Sequence, residues 1–273
     1  MHAPLHAVIF SKDRACQLDS LLRSMRDNFR CIPVVSHILY RSSSKQFAEG
    51  YRRTMRRHSG PHVDWREQRD FRQDFIAILQ AVPPGNPVLL LVDDDIVFRQ
   101  FDDATVFDRF TVRHLFIDLY FYIEDGRNAR LPFVRRQPYY EWKWAYYIKW
   151  RRPRIYPFSL DGHIYERDIL LRLARQTLYK APNSLESALH AEKRRWFVWR
   201  RSLALAACDP VIFNNPINSV QTEGETEHLN ITASELNSRF CTGYEIDNEP
   251  LYHACPDAAH YAVPVMLMRS LQI

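Results

Sequence analysis

Three consecutive carboxylates, Asp93, Asp94 and Asp95, follow an apolar run in the stretch VLLLVDDDIVF at residues 88–98. Charges crowded in this way repel one another and stay ionised only beside a cation. Hard oxygen donors at a strand end suit Mg²⁺ or Mn²⁺ and, through such an ion, a diphosphate. A solvated acidic turn after a core strand is the competing reading. A second group of charged and polar residues, Ser11, Lys12, Asp13 and Arg14, follows the apolar residues 5–10. Arginine is frequent from Arg41 to Phe75, and its planar fork matches phosphate. Farther on stand Asp161 and His163 in SLDGHIYERDILLRLA, Glu186 in APNSLESAL, and His260 in the tail HACPDAAHYAVPVMLM. Residues 135–158, RRQPYYEWKWAYYIKWRRPRIYPF, set Trp142, Trp144 and Trp150 among basic side chains. Flat apolar rings of this kind suit sugar faces or a lipid-headgroup interface, and a hairpin covering a sheet edge would use them equally well.

Elements that could position these groups are readable in the first hundred residues. Residues 5–10 form a predicted strand, and Leu18, Leu21, Leu22 and Met25 recur at helical spacing after it. A second strand is expected over 34–40 and a second helix over 44–55. A third strand is expected over 62–65, and a third helix over 70–82 with Phe71, Phe75, Ile78 and Leu79 on one face. Pro83, Pro84 and Pro87 then interrupt the chain before the acidic strand. This alternation predicts an α/β protein with an open, mostly parallel sheet, whose ligands bind beyond the carboxyl ends of the strands. Both Lys12-Asp13-Arg14 and the aspartate triplet fall there. In the second half the pattern predicts a strand at 115–123 and a strand and turn over 210–220. It also predicts strand, turn at Asp161-Gly162, strand and helix across 159–174, and helices at 190–201 and 232–240. Pro182 with Asn183 or Ser184 reads as a helix start that places Glu186 in the first turn, either as a functional carboxylate or as a capping glutamate beside Asn183.

Composition narrows the classes. The 273 residues are 46% hydrophobic and 25% charged, with seven glycines against sixteen prolines, which argues against a disordered or low-complexity chain. A formal charge of +5 favours an anionic partner. Glu49, Asp64, Glu67, Asp70 and Asp74 interrupt the basic stretch, and no nucleic-acid motif accompanies it, so nucleic acid is not the expected partner. Five scattered cysteines without a CxxC spacing indicate neither a disulfide framework nor a zinc knuckle, and a cytoplasmic setting is expected. The opening residues read as no signal peptide, and no run is long enough to span a membrane. Any membrane association is expected to be peripheral, at the inner face.

The SKDR loop after a first strand, the α/β repeats and the apolar strand closing on DDD together resemble the nucleotide-sugar-dependent glycosyltransferases of the GT-A fold, in particular bacterial family 2-like enzymes with a DxD motif. The resemblance implies one unit over 1–273, with residues 1–100 binding the donor and 101–273 the acceptor. It implies a UDP- or GDP-sugar donor, a saccharide or lipid-linked saccharide acceptor, and Mn²⁺ or Mg²⁺ as cofactor. Asp95 and Asp93 would hold the metal, with His260 completing the site. Ser11, Lys12, Asp13, Arg14, Arg41, Asp93 and Asp94 would line the donor. Trp142, Trp144, Trp150 and His163 would meet the acceptor. Glu186 would be the general base of an inverting transfer, with Asp161 the next candidate. The family's usual acidic pair is reduced to one glutamate here, a departure that also leaves a retaining route open. A nucleotidyltransferase acting on a sugar phosphate and a non-catalytic carbohydrate-binding protein are the alternatives. The first would call for a glycine-rich phosphate loop, and residues 5–30 contain no glycine.

Overall fold

The computed structural model describes residues 4–101, 112–114, 134–136, 139–143, 159–191, 203–218, 231–258 and 260–270. The first half repeats strand and helix in the expected order: β1 (Leu5–Lys12), α1 (Ala15–Asn28), β2 (Val34–Arg41), α2 (Lys45–Arg57), β3 (Val63–Glu67), α3 (Phe71–Ala81) and β4 (Pro87–Val92). Local chemistry sets the helix starts. Ser44 accepts the Phe47 N–H at the head of α2, and Asp70 accepts the Gln73 N–H at the head of α3. Within β4, Val88, Leu89, Leu90 and Leu91 are fully buried, as expected of a strand covered on both faces.

The second half contributes β5 (Asp95–Val97), β6 (Val112–His114), β7 (Val134–Arg136), β8 (Tyr139–Lys143), β9 (His163–Glu166), α4 (Arg167–Gln176), α5 (Pro182–Ala191), β10 (Leu203–Ala207), β11 (Ile212–Asn214), α6 (Ala233–Cys241), β12 (Tyr244–Ile246), α7 (Glu249–Tyr252) and β13 (Leu267–Arg269). Nine strands form one sheet in the order β3-β2-β1-β4-β9-β6-β10-β8-β7. Only β9 and β8 run against the rest, so the sheet is mixed and mostly parallel. Side chains alternate across it. Ala7 and Ile9 of β1 join Leu18, Leu21, Tyr51 and Phe240 on one side, while Val8 and Phe10 join Phe71, Phe75, Leu170 and Leu189 on the other.

Two smaller strand pairs lie beside this sheet. β5 pairs with β11, which sets Asn214 opposite Asp95, and β12 pairs with β13. Asp19 of α1 is fully buried and accepts from Arg23 and Arg57 at 3.0 Å each and from His58 at 2.9 Å, joining α1 to α2. Burial works against its charge, but His58 and the two arginines outweigh burial and hold the carboxyl below its usual range.

Three expectations need correction. Residues 159–162 form a bend and not the expected strand and turn, because the Ser159 hydroxyl folds back to accept the Asp161 N–H at 3.1 Å. Glu186 is the fifth residue of α5, beyond its first turn. That helix starts at Pro182, and Ser184 accepts the N–H groups of Lys180 and Ala181, so Asn183 is not its cap. His163, expected to meet the acceptor, is fully buried in β9 between β4 and β6 and touches no surface. The predicted strand at 115–123, Trp144, Trp150, the side chain of Trp142 and the basic segment beyond residue 191 lie outside the described residues.

Candidate functional site

β1 delivers its charged residues to the carboxyl edge of the sheet through one unusual backbone position. Asp13 adopts φ 58°, the left-handed region that few non-glycine residues occupy and that aspartate tolerates best. Two hydrogen bonds hold it there: its N–H donates to Arg41 O at 3.1 Å, and its Oδ1 accepts the Ser43 N–H at 2.7 Å. Asp13 is therefore occupied with the backbone. The turn sends Arg14 inward, where only 6% of it is exposed.

Arg14 is the hub. Its Nη1 donates to Asp93 Oδ1 at 3.1 Å and to Asp94 Oδ2 at 2.7 Å, while Nε donates to Asn218 Oδ1 at 3.1 Å. Nη2 donates to Asn218 O. The Arg14 backbone N–H meets the Tyr51 hydroxyl, which is also 2.7 Å from Ser11 Oγ. Lys12 and Arg41 are different. They are neighbours in register at the ends of β1 and β2, both exposed, with no ion pair among the described residues.

The aspartates occupy three distinct settings. Asp93 takes the Lys12 N–H at 3.1 Å in addition to Arg14. Asp94 takes Asn214 Nδ2 at 2.9 Å. Asp95 is fully buried, accepts the Val92 N–H at 2.9 Å and lies 3.3 Å from Asn214 Nδ2. α1 fixes the strand behind it: Ser24 Oγ accepts the Val97 N–H, and Asn28 donates to Val97 O. Asn214 Oδ1 lies 3.1 Å from Nδ1 of the exposed His260, so one asparagine links that histidine to two of the acids.

More carboxylates gather within electrostatic reach than cations. Burial pushes Asp93 up to about 6, with Arg14 opposing and Asp94 adding to the rise. Burial, with the charges of Asp161 and Asp94, pushes Asp95 well above the usual carboxylate range. Burial and the Asp94 charge take Asp161 to about 7. Burial and the Asp161 charge take Glu186 to about 7, against hydrogen bonds from Ser159 and the Leu160 backbone and the charge of His260. These influences bring Asp161, Glu186 and His260, as well as the aspartate triplet, into one acidic site. His163 supports it from below, with Nδ1 2.8 Å from Asp161 O.

Among the described residues, no three of His, Cys, Asp and Glu are arranged as a ready metal cage. The chemistry of the donor set fits a hard divalent cation nonetheless: its donors are carboxylate oxygens, and their mutual repulsion is what such an ion relieves. Tyr51, Ser159, Asn214 and Asn218 were not anticipated from the sequence. The only signal for the last two was polar residues interrupting the apolar stretch PVIFNNPINSV.

No protein-family model matches this chain. No curated protein matches it by sequence. Several solved structures that it resembles are glycosyltransferases. They include the mannosyltransferase PcManGT from Pyrobaculum calidifontis in complex with GDP-Man and Mn²⁺, at 11% identity and TM-score 0.47, over 77% of this chain and 55% of that one. S. aureus TarS 1-349 in complex with UDP-GlcNAc is similar at 14% identity and TM-score 0.42, over 83% of this chain and 60% of its own. The galactosyltransferase LgtC with donor and acceptor sugar analogs is similar at 12% identity and TM-score 0.36, over 75% and 87%. The chain thus spans little more than half of the first. Likenesses this loose do not assign a reaction.

Proposed function

We propose that this protein transfers a sugar from a nucleoside diphosphate donor to a saccharide or lipid-linked saccharide acceptor, with inversion. The observation that carries this reading is the convergence, at the carboxyl ends of β1 and β4, of an excess of buried carboxylates with exposed cations at their rim. Lys12 and Arg41 offer the donor diphosphate two cations that no carboxylate among the described residues holds. Arg14 is engaged with Asp93, Asp94 and Asn218, and it acts as the internal counter-charge that keeps the acidic turn in place. Ser11 and Asp13 shape the donor loop through Tyr51 and Ser43.

Asp93 and Asp95, with His260 at the rim, offer the ligands for Mn²⁺ or Mg²⁺, which when bound supplies positive charge to the departing diphosphate. Glu186, raised to about 7, is poised to accept a proton near neutral pH. It takes that proton from the acceptor hydroxyl as the oxygen bonds to the anomeric carbon, and the bond to the nucleoside diphosphate breaks on the opposite face. Asp161 keeps Glu186 basic by its adjacent negative charge. Trp142, Trp144 and Trp150 supply the stacking surface for the acceptor sugar.

Calorimetric titration with UDP and GDP, with and without Mn²⁺, tests the donor site. Metal-dependent binding that Asp95→Ala abolishes supports the reading. Affinity that is independent of metal and unchanged in Asp95→Ala removes Asp95 from the metal site. Absence of nucleotide binding altogether, alongside saccharide binding, favours a carbohydrate-binding protein without catalysis.

A further inference from the structure

Between the end of α4 at Gln176 and the start of α5 at Pro182 the chain is held on almost every residue. Thr177 donates to Leu173 O from its backbone N–H at 3.1 Å and from its hydroxyl at 2.9 Å. Arg72 reaches across from α3 and donates to Thr177 O at 3.0 Å and Arg175 O at 2.6 Å, satisfying carbonyls that the helix end leaves open. Tyr179 is buried edge-on against Phe71 and Phe75, at 5.9 and 6.4 Å between ring centres. Lys180 and Ala181 are tied through their N–H groups to Ser184. Leu178 stands between two inward-facing neighbours and is 88% exposed.

A single exposed leucine is ordinary on a protein surface. The setting of this one is not. Arg172 and Arg175 precede it in the chain and Lys180 follows it, all exposed, and none forms an ion pair with a carboxylate among the described residues. Glu166 acts on Arg172 only at longer range. Beyond α5 the sequence continues the same chemistry, with Lys193, Arg194 and Arg195 followed by Trp196, Phe197 and Trp199.

We propose that this loop docks the protein on an anionic phospholipid surface, with Leu178 entering the acyl boundary and Arg172, Arg175 and Lys180 meeting the headgroup phosphates. A firmly held apolar tip with exposed cations on either side of it in the chain satisfies both layers of such an interface at once. A soluble polyanion would engage the cations but gain nothing from Leu178. A protein partner would call for a wider apolar face than one side chain provides. The inference rests on this surface alone and is independent of the proposed transfer reaction.

Flotation of the full chain with vesicles of phosphatidylcholine alone, or of phosphatidylcholine with phosphatidylglycerol at 3:1, tests it. The chain is expected to float with the anionic vesicles only. Leu178→Asp should lower the bound fraction at least fivefold, and Arg172→Glu with Arg175→Glu and Lys180→Glu should lower it at least tenfold. Because these side chains are exposed, the melting temperatures should stay at the parent value, which separates lost docking from lost folding. Unchanged flotation of Leu178→Asp overturns the proposal. So does binding to inorganic polyphosphate without any vesicle partition.

Discussion

Arg14 and Asp94 meet at 2.7 Å across eighty residues of chain, inside the protein. The same guanidinium reaches Asp93 and Asn218, so one cation restrains the acidic turn and the segment after β11. Breaking such a buried pair leaves carboxylates without compensation, at a typical cost of about 3–5 kcal/mol. Arg14→Ala is expected to lose stability of that order at pH 7.5 in urea denaturation. The loss should shrink at pH 5, where Asp93, raised to about 6, carries its own proton. An equal loss at both pH values would mean that Arg14 matters for packing and not for charge.

Glu186 gives a prediction about turnover. A base must be unprotonated to act, so kcat should rise through about pH 7 and level off above it. Glu186→Gln keeps the shape and removes the basicity. It should lower kcat by about 10²- to 10⁴-fold with nucleotide affinity intact. Steady-state assays from pH 5.5 to 8.5 on both forms decide the point. Near-parent turnover in the variant would move the base elsewhere.

Asp161 gives the opposite balance between stability and activity. Its folded-state value of about 7 lies above the ordinary 3.8, so the folded chain holds this proton more tightly than the unfolded chain. The stabilising contribution is therefore full at low pH and is lost as pH rises through about 7. Asp161→Asn should leave stability nearly unchanged near pH 4 and raise it at pH 8, by up to about 4 kcal/mol. Thermal melts at the two pH values check the sign. A destabilised variant at pH 8 would show that the carboxylate makes a contact worth more than its repulsion costs.

The parts of this architecture that depend on local pattern were legible. Residues 5–92 alternate apolar runs with helical faces, and the structure follows them with ends shifted by one or a few residues. The acidic triplet also falls where the pattern placed it, at the end of β4. What the sequence did not disclose is how distant segments meet. Arg14 reads as a donor-binding cation, and only the fold shows the segment after β11 bringing Asn218 to it. The resemblance sets His163 against the acceptor, yet pairing of β9 with both β4 and β6 encloses it. Glu186 lies two positions farther along its helix than a cap at Asn183 would place it, and Ser184 bonds backward to Lys180 and Ala181, an interaction that a capping pattern read forward does not reveal.

The long reach of these contacts has a consequence during synthesis. Arg14 must wait for Asn218, 204 residues later, and Ser20 for Asn248, 228 residues later. A chain emerging from the ribosome can pair β1 with β2 and β4 early, because those segments are near in sequence. Its acidic turn then stays without its full set of partners until β11 and the residues after it have been made. Loop closure over such distances is slow, and half-made chains with open carboxylates and an unpaired β5 are the ones most exposed to misassembly. The acidic site is thus assembled late, and a chain interrupted before residue 218 has the scaffold of the first four strands without the partners of Arg14.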